Sequence, residues 1–278
     1  MDNKLRVALI GCGDIGQRLS DELSSERYRF LGLRRSLPEV ANGAIDWVQA
    51  DYLKPETLDV LKEFCPDYVV ITLKPTAYSE SGYRQGYEQG AANIAAALHD
   101  LLIKRIFYVS STRVYAESAG AWVTEDSPLA HEGYAALSLI AAEQTMVQTG
   151  LPVTIVRFAG IYDGRAQFYL NRMKQGLWSP PEPKVYTNRI HRDDCAGFLA
   201  HLIKMSEQAD TVASVYNGSD GSPTPRYELE QYLASREGIK PPLQVLEDSG
   251  PYDHKRIAHN ALQASGYQLK FPSYRDGY

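Results

Sequence analysis

Positive charge is in deficit in this chain of 278 residues: 29 lysines and arginines face 34 acids, a formal net charge of -5. Without a basic excess there is no long-range attraction to phosphate polymers or anionic lipid, which argues against nucleic acid and membrane surfaces as partners. Cysteine is scarce as well. Cys12, Cys65 and Cys195 are widely scattered, with neither a metal-ligand spacing nor an even-numbered disulfide framework, so no metal is expected and reduced thiols are the simplest reading. Long apolar runs are missing too: "VALIG" (7–11) is too short for a signal h-region or a spanning helix. The expectation is a cytoplasmic protein. Internal repeats and low-complexity tracts are also absent. What remains is an ordinary globular composition, 44% hydrophobic and 23% charged, in a chain long enough for one or two domains. Its expected partner is a small molecule.

Short β-branched runs alternate with stretches of helical period, the pattern of βαβ units and a parallel sheet. Strands are expected at 6–11, 29–34, 46–51, 67–73, 105–111 and 152–158, with helices at 16–25, 56–64, 86–102 and 134–150. Six strands with helices between them make an α/β, doubly wound parallel sheet of Rossmann type. The pattern loosens after residue 160, where "YDGRAQF", "WSPPEPK" and "NGSDGSPTP" read as loops. Only helices at 192–208 and 226–238 and a strand at 214–218 interrupt them. The expected division is a cofactor-binding domain at 1–160 and a small substrate-binding region at 161–278 that interleaves with the end of the sheet.

"GCGDIG" (11–16) directly follows an apolar strand and opens a helix, the context in which GxGxxG binds a dinucleotide. Gly11 permits the tight turn, Gly13 lets the backbone approach a pyrophosphate, and Gly16 allows helix to pack closely on strand; Asp14 and Ile15 complete the loop. Cys12 needs only a small side chain there. An NAD-specific site places an acid at the end of the second strand, yet this chain has Arg34 and Arg35 in "LRRS". Two cations favour a 2′-phosphate, hence NADP(H), with NAD left open, although an arginine pair at a strand end also fits a solvated surface. Asp51 ends the third strand, with Tyr52 after it, and is expected beside the adenine edge in such a fold; a helix cap is an equal reading of Asp51.

The loop "GCGDIG", "AD" (50–51), "YVSSTRVY" (108–115), "EDSP" (125–128), "RFAGIYDGR" (157–165) and "NRIHRDDCAG" (188–197) occur in the order of extended short-chain dehydrogenase/reductases. From end to end the chain resembles the NAD(P)-dependent epimerase/dehydratase family, and its tail (254–278) looks like that of a bacterial atypical subgroup. The resemblance implies a nicotinamide over the ends of the fourth and fifth strands. Leu73 and Lys74 would line its ribose side, and Ser110, Ser111 and Thr112 would lie below the substrate. It matches Ser111 to the family's active-site hydroxyl, and Arg157, Tyr162, Arg189 and His191 to positions near the substrate mouth. It also implies a homodimer through the helices at 86–102 and 134–150, though burial against the sheet explains their apolar faces equally well.

One departure stands out. The family's tyrosine is followed four residues later by a lysine that makes the phenol a usable acid or base. Tyr134 is followed by Ser138, and sliding the register to bring Glu143 onto the family's acidic position puts Ala135 and Leu139 in the tyrosine and lysine places. Lys74 or Arg113 could replace the cation, or Tyr115, Tyr162 or His191 the acid. The expectation is an NADP(H)-dependent oxidoreductase or epimerase-like enzyme with Ser111 and Tyr134 catalytic. The rival is a redox-inactive NADP(H)-binding sensor, and a third reading keeps the pocket for isomerisation or elimination.

Overall fold

The apolar runs of the first four fifths of the chain become seven strands of one sheet, numbered here in chain order: β1 (Leu5–Ile10), β2 (Tyr28–Arg34), β3 (Ile45–Gln49), β4 (Tyr68–Thr72), β5 (Arg105–Ser111), β6 (Val153–Phe158) and β7 (Val215–Gly218). The computed structural model describes residues 4–40, 43–208, 210–240, 246–247 and 254–278. They cluster into two units: Met1–Val114, Leu129–Arg157 and Cys195–Tyr216 form the first, and Tyr115–Pro128, Phe158–Asp194 and Asn217–Tyr278 the second.

The sheet order is β7-β6-β5-β4-β1-β2-β3, with β1 parallel to both β2 and β4, β2 parallel to β3, and β4 parallel to β5. Winding outward in both directions from β1 and β4 creates a switch point at their carboxyl ends, where ligands bind in folds of this kind. The strands are apolar on both faces because helices cover both. Ile10, Leu33, Ile71, Ile106 and Ala142 belong to one buried cluster.

The long helix expected at 86–102 is instead a π-helical stretch, Arg84–Gln89, running into the α-helix Gly90–Leu98 and preceded by the short helix Glu80–Tyr83. Close approach explains the glycines here. A Cβ on Gly86 would come within 2.3 Å of the Lys74 carbonyl oxygen, and one on Gly90 within 2.9 Å of the Tyr52 ring. A wider turn lets the backbone pass, and π-bulges of this kind occur often at functional sites.

The second unit holds more structure than its loop-like composition suggests. Gly160–Tyr162 pairs in parallel with Arg189–His191, Tyr186–Thr187 antiparallel with Thr224–Pro225, and His254–Ile257 in parallel with Ala119–Val123. Strands of two to five residues carry too little alternation to be read from sequence. The helix Gln167–Lys174, also unforeseen, packs Leu170 and Met173 with Trp178, Leu229, Leu233 and Tyr274 in a separate small core.

Candidate functional site

The glycine loop leaves β1 and enters the helix Asp14–Glu22. Gly11 sits at φ +74, and a Cβ there would lie 2.1 Å from the Thr72 carbonyl oxygen at the end of β4. No other residue fits both the turn and the neighbour. Gly13 is different: nothing but the loop's own Gly11 carbonyl oxygen, at 3.8 Å, lies within reach of its missing side chain. Its backbone is open to a close-approaching group. Gly16 would press a Cβ to 2.8 Å from Cys12 Sγ, so its role is packing. Gly13 as N-cap has no side chain to cap the helix, which leaves the first turn without a capping side chain and its dipole facing the loop. Burial pushes the Cys12 thiol up to about 12, which makes it inert. These residues fit the diphosphate of a dinucleotide.

Arg34 ends β2, its guanidinium over the Trp47 ring at 5.9 Å, while Arg35 is exposed. Asp51 accepts the Leu53 N–H at 3.1 Å, and Thr57 Oγ1 accepts the Asp51 N–H at 3.0 Å. Its carboxylate thus caps a turn. Tyr52 donates its phenol hydroxyl to the Lys74 carbonyl oxygen at 3.2 Å, tying the end of β3 to the segment after β4. Leu73 packs on the core, and the Lys74 side chain is exposed.

At the end of β5 two adjacent serines have different surroundings. Ser110 is buried and donates its hydroxyl to Glu143 of the helix Tyr134–Val147. Ser111, partly exposed, accepts the Arg113 main-chain N–H at 3.2 Å. Arg113 Nη1 donates to Tyr83 Oη at 3.5 Å, and the Tyr83 ring meets Tyr134 edge-on with 5.5 Å between centroids. The Arg113 guanidinium and the two tyrosine rings therefore form a chain of contacts, and the Ser111 hydroxyl joins it at the Arg113 main chain, with Thr112 between the two. Tyr134 itself is 45% exposed. At the position where the family resemblance implies a lysine, Ser138 is 1% exposed and donates to Glu88 at 2.7 Å. Arg157 is buried and holds Glu143.

In the second unit, pairing of Gly160–Tyr162 with Arg189–His191 brings Tyr162 and His191 side by side, ring centroids 5.1 Å apart. His191 Nδ1 accepts the Asp193 N–H at 3.2 Å, and its ring lies against Phe271, tilted by 40° with 3.9 Å between centroids. Burial raises the Tyr162 phenol well above its ordinary value, helped by the charge of Asp220. Arg189 is 3% exposed; its guanidinium binds Thr187 Oγ1 and covers the Tyr274 ring at 5.2 Å, leaving Nη1 with no partner among the described residues.

Asp220, inside a stretch read from sequence as a loop, joins this group. It is 4% exposed, its Oδ2 has no partner among the described residues, and burial pushes its carboxyl up to about 7, against the opposing pull of the Ser222 N–H and Arg189. No sequence signal marks a buried carboxyl in a Gly/Ser/Asp run. The folded chain therefore holds a proton between pH 3.8 and about 7 that the unfolded chain has released. Stability falls as pH rises across that window, by at most about 1.4 kcal/mol per unit, and the cost is fully present above it. Asp220→Asn keeps an acceptor for Ser222 and carries no charge. Urea melts at pH 4.5, 6 and 8 should give it a flatter profile and higher stability than the parent at pH 8; parallel profiles would refute the assignment.

A glycine loop opening a helix at the switch point of a doubly wound sheet defines a dinucleotide-binding α/β protein. The chain belongs to the NAD(P)H-binding family, whose pattern it matches over residues 11–206. A structure from Methylobacillus flagellatus, provisionally described as an NAD-dependent epimerase/dehydratase, is 32% identical, covers 100% of this chain and 97% of its own, and superposes with a TM-score of 0.81. The expected kinship with epimerase/dehydratase-type short-chain dehydrogenase/reductases holds. Two more distant structures share the fold: the Bordetella bronchiseptica enzyme WbmG in complex with NAD (18% identity, 99% and 91% coverage, TM-score 0.78) and UDP-glucuronic acid 4-epimerase from Bacillus cereus in complex with NAD (15%, 98% and 96%, 0.80). No curated protein matches the chain. Among the described residues no helix is long and apolar enough to cross a membrane, and no cluster of three or more His, Cys, Asp or Glu side chains could hold a metal.

Proposed function

We propose that the protein is a cytoplasmic, NADP(H)-dependent oxidoreductase or epimerase-like enzyme acting on a small hydroxyl or carbonyl compound. The observation that carries this reading is the group Ser111, Arg113, Tyr83 and Tyr134 at the carboxyl end of β5. Ser111 Oγ polarises the substrate oxygen, and Tyr134 Oη gives or takes its proton. The cation that a lysine supplies in relatives comes from Arg113, one phenol away. A guanidinium there stabilises the oxyanion left when a phenol releases its proton. Bound NADP(H) supplies or accepts the hydride, and the chain orients it. In this reading the loop Gly11, Gly13, Asp14, Ile15 and Gly16 cradles the pyrophosphate and Arg34 and Arg35 hold the 2′-phosphate. Asp51 and Tyr52 flank the adenine, while Leu73, Lys74 and Ser110 lie on the nicotinamide side. Thr112, Tyr162, Arg189 and His191 recognise the substrate. A homodimer through the helices Gly90–Leu98 and Tyr134–Val147 belongs to the same reading, supported by exposed Leu137 and Val147 on the latter.

The rival, a redox-inactive NADP(H)-binding sensor, draws support from the Ser138–Glu88 pair in the lysine's place. Calorimetry with NADPH and NADH separates the first question. Micromolar NADPH binding that weakens by about 1–3 kcal/mol in Arg34→Ala, the scale of a charged hydrogen bond, is expected. NADPH absorbance followed against a panel of aldehydes, ketones and keto-sugars then separates enzyme from sensor. Turnover that collapses in Ser111→Ala and Tyr134→Phe supports the enzyme; binding without turnover on any compound favours the sensor.

A further inference from the structure

We infer that Trp47 is a specificity-determining positioning residue, whose indole holds the Arg34 guanidinium in the posture that grips a 2′-phosphate. The inference rests on the NADP(H) reading above and extends it to a residue two strands from the glycine loop.

Three observations place the charge. The N–H groups of Gly11 and Cys12 both donate to the Leu33 carbonyl oxygen, at 3.0 and 2.9 Å, so the end of β2 is stitched to the glycine loop immediately before Arg34. On the other side, the Ala50 N–H donates to the Arg34 carbonyl oxygen at 3.0 Å, fixing the same residue to the end of β3. The Arg34 side chain leaves this clamp between the loop and the Trp47 ring. Its charge is felt by the Cys12 thiol within the loop, where it opposes the effect of burial, and its Cζ stands 5.9 Å from the centre of the indole.

The sheet is built to admit that ring. Gly32 pairs in register with Trp47 across β2 and β3. A Cβ at Gly32 would approach the indole to 3.0 Å and Ile45 Cγ2 to 2.7 Å, so even alanine would push against the platform. Gly32, Trp47 and Arg34 thus form a stack in which the glycine makes room, the indole supports and the guanidinium is supported.

A guanidinium lying over an aromatic face offers its N–H edge outward, and that edge is what matches phosphate with two parallel hydrogen bonds. Without the ring, Arg34 is a long side chain with many rotamers, and ordering it on binding offsets part of the interaction. Arg35 lacks this arrangement: it is exposed, and Gln49 Nε2 holds its main-chain oxygen at 3.0 Å. The stack therefore assigns the selective contact to Arg34. Trp47 acts only through it.

The test uses NADPH, NADH and adenosine 2′,5′-bisphosphate as calorimetric probes of the full chain. Trp47→Leu should weaken NADPH and the bisphosphate about three- to tenfold, the scale of one cation–π contact, and leave NADH unchanged. Trp47→Phe should recover most of the loss. Equal losses for NADPH and NADH would mean a structural role only, and no loss for either would remove Trp47 from recognition; both results overturn the inference. Because Trp47→Leu disturbs a packed sheet edge, indole emission provides a second readout that needs no destabilised variant. Adenosine 2′,5′-bisphosphate should change the emission of the parent and not of Trp47→Phe, whereas an identical change in both would count against the stack. A parent protein that binds NADH at least as tightly as NADPH fails the NADP(H) reading itself, which is seen before any variant is made.

Discussion

Arg157→Leu should destabilise the fold by about 3–5 kcal/mol, a fifth or more of the roughly 5–15 kcal/mol that a folded protein has to lose. Glu143 lies on the inner face of the helix Tyr134–Val147 and receives Arg157 Nε at 3.1 Å and Nη2 at 2.7 Å, with the Ser110 hydroxyl on the same carboxylate. Both side chains are 6% exposed. Removing the guanidinium leaves a carboxylate buried with a single hydroxyl as partner, and taking that charge out of water is no longer compensated. The energy of the intact pair is a separate matter. Desolvation offsets most of the attraction between buried ions, so Glu143→Leu combined with Arg157→Leu should cost less than Arg157→Leu alone. Denaturant unfolding of the two variants measures both numbers. A loss under about 1 kcal/mol for the single replacement would show that the carboxylate has water or another cation within reach.

Gly11→Ala should have the next largest effect, and on cofactor binding more than on folding. The left-handed backbone at φ +74 costs a residue with a side chain about 1–3 kcal/mol. The Cβ would also stand 2.1 Å from the Thr72 carbonyl oxygen, which cannot rotate away because it belongs to β4. The loop must shift instead. Gly11 and Cys12 then lose their shared acceptor on Leu33, and the helix start moves off the diphosphate position. Loss of one or two charged hydrogen bonds amounts to about 10- to 100-fold in NADPH affinity. Titration alongside a thermal melt distinguishes the outcomes: unchanged affinity with a lowered melting point would show that the loop relaxes without disturbing the phosphate site.

The sheet was readable because its strands are short apolar runs punctuated by glycine and proline, and six expected strands fall within two residues of those observed. The glycine loop was readable because its neighbours on both sides are required by the same geometry. The rest of the candidate site was not. Tyr83, which meets Tyr134 and Arg113, ends the short helix just before a π-helical segment flanked by close approaches at Gly86 and Gly90, which no periodicity reveals. In the helix Tyr134–Val147, the absence of lysine removed the usual marker of rotation. Glu143, turned inward by Arg157, sets that rotation and leaves Tyr134 on the exposed side. Asp220 stayed hidden because burial of a carboxyl depends on contacts distant in sequence, here with a strand thirty residues earlier.

The division of the chain bears on how it acquires its structure. The second unit is written in three separate stretches, two of them inserted between pieces of the first and the third following its last piece, and the last sheet strand arrives only at residue 215. Most of the pairings that define the protein therefore link positions far apart along the chain, and closing those loops must precede the contacts that repay the lost entropy. Folding of this kind is slow. It also means that a fragment cut anywhere between residues 115 and 216 contains neither unit whole, so the two cannot be separated by truncation, and a nascent chain gains a complete first unit only after residue 216 has been added.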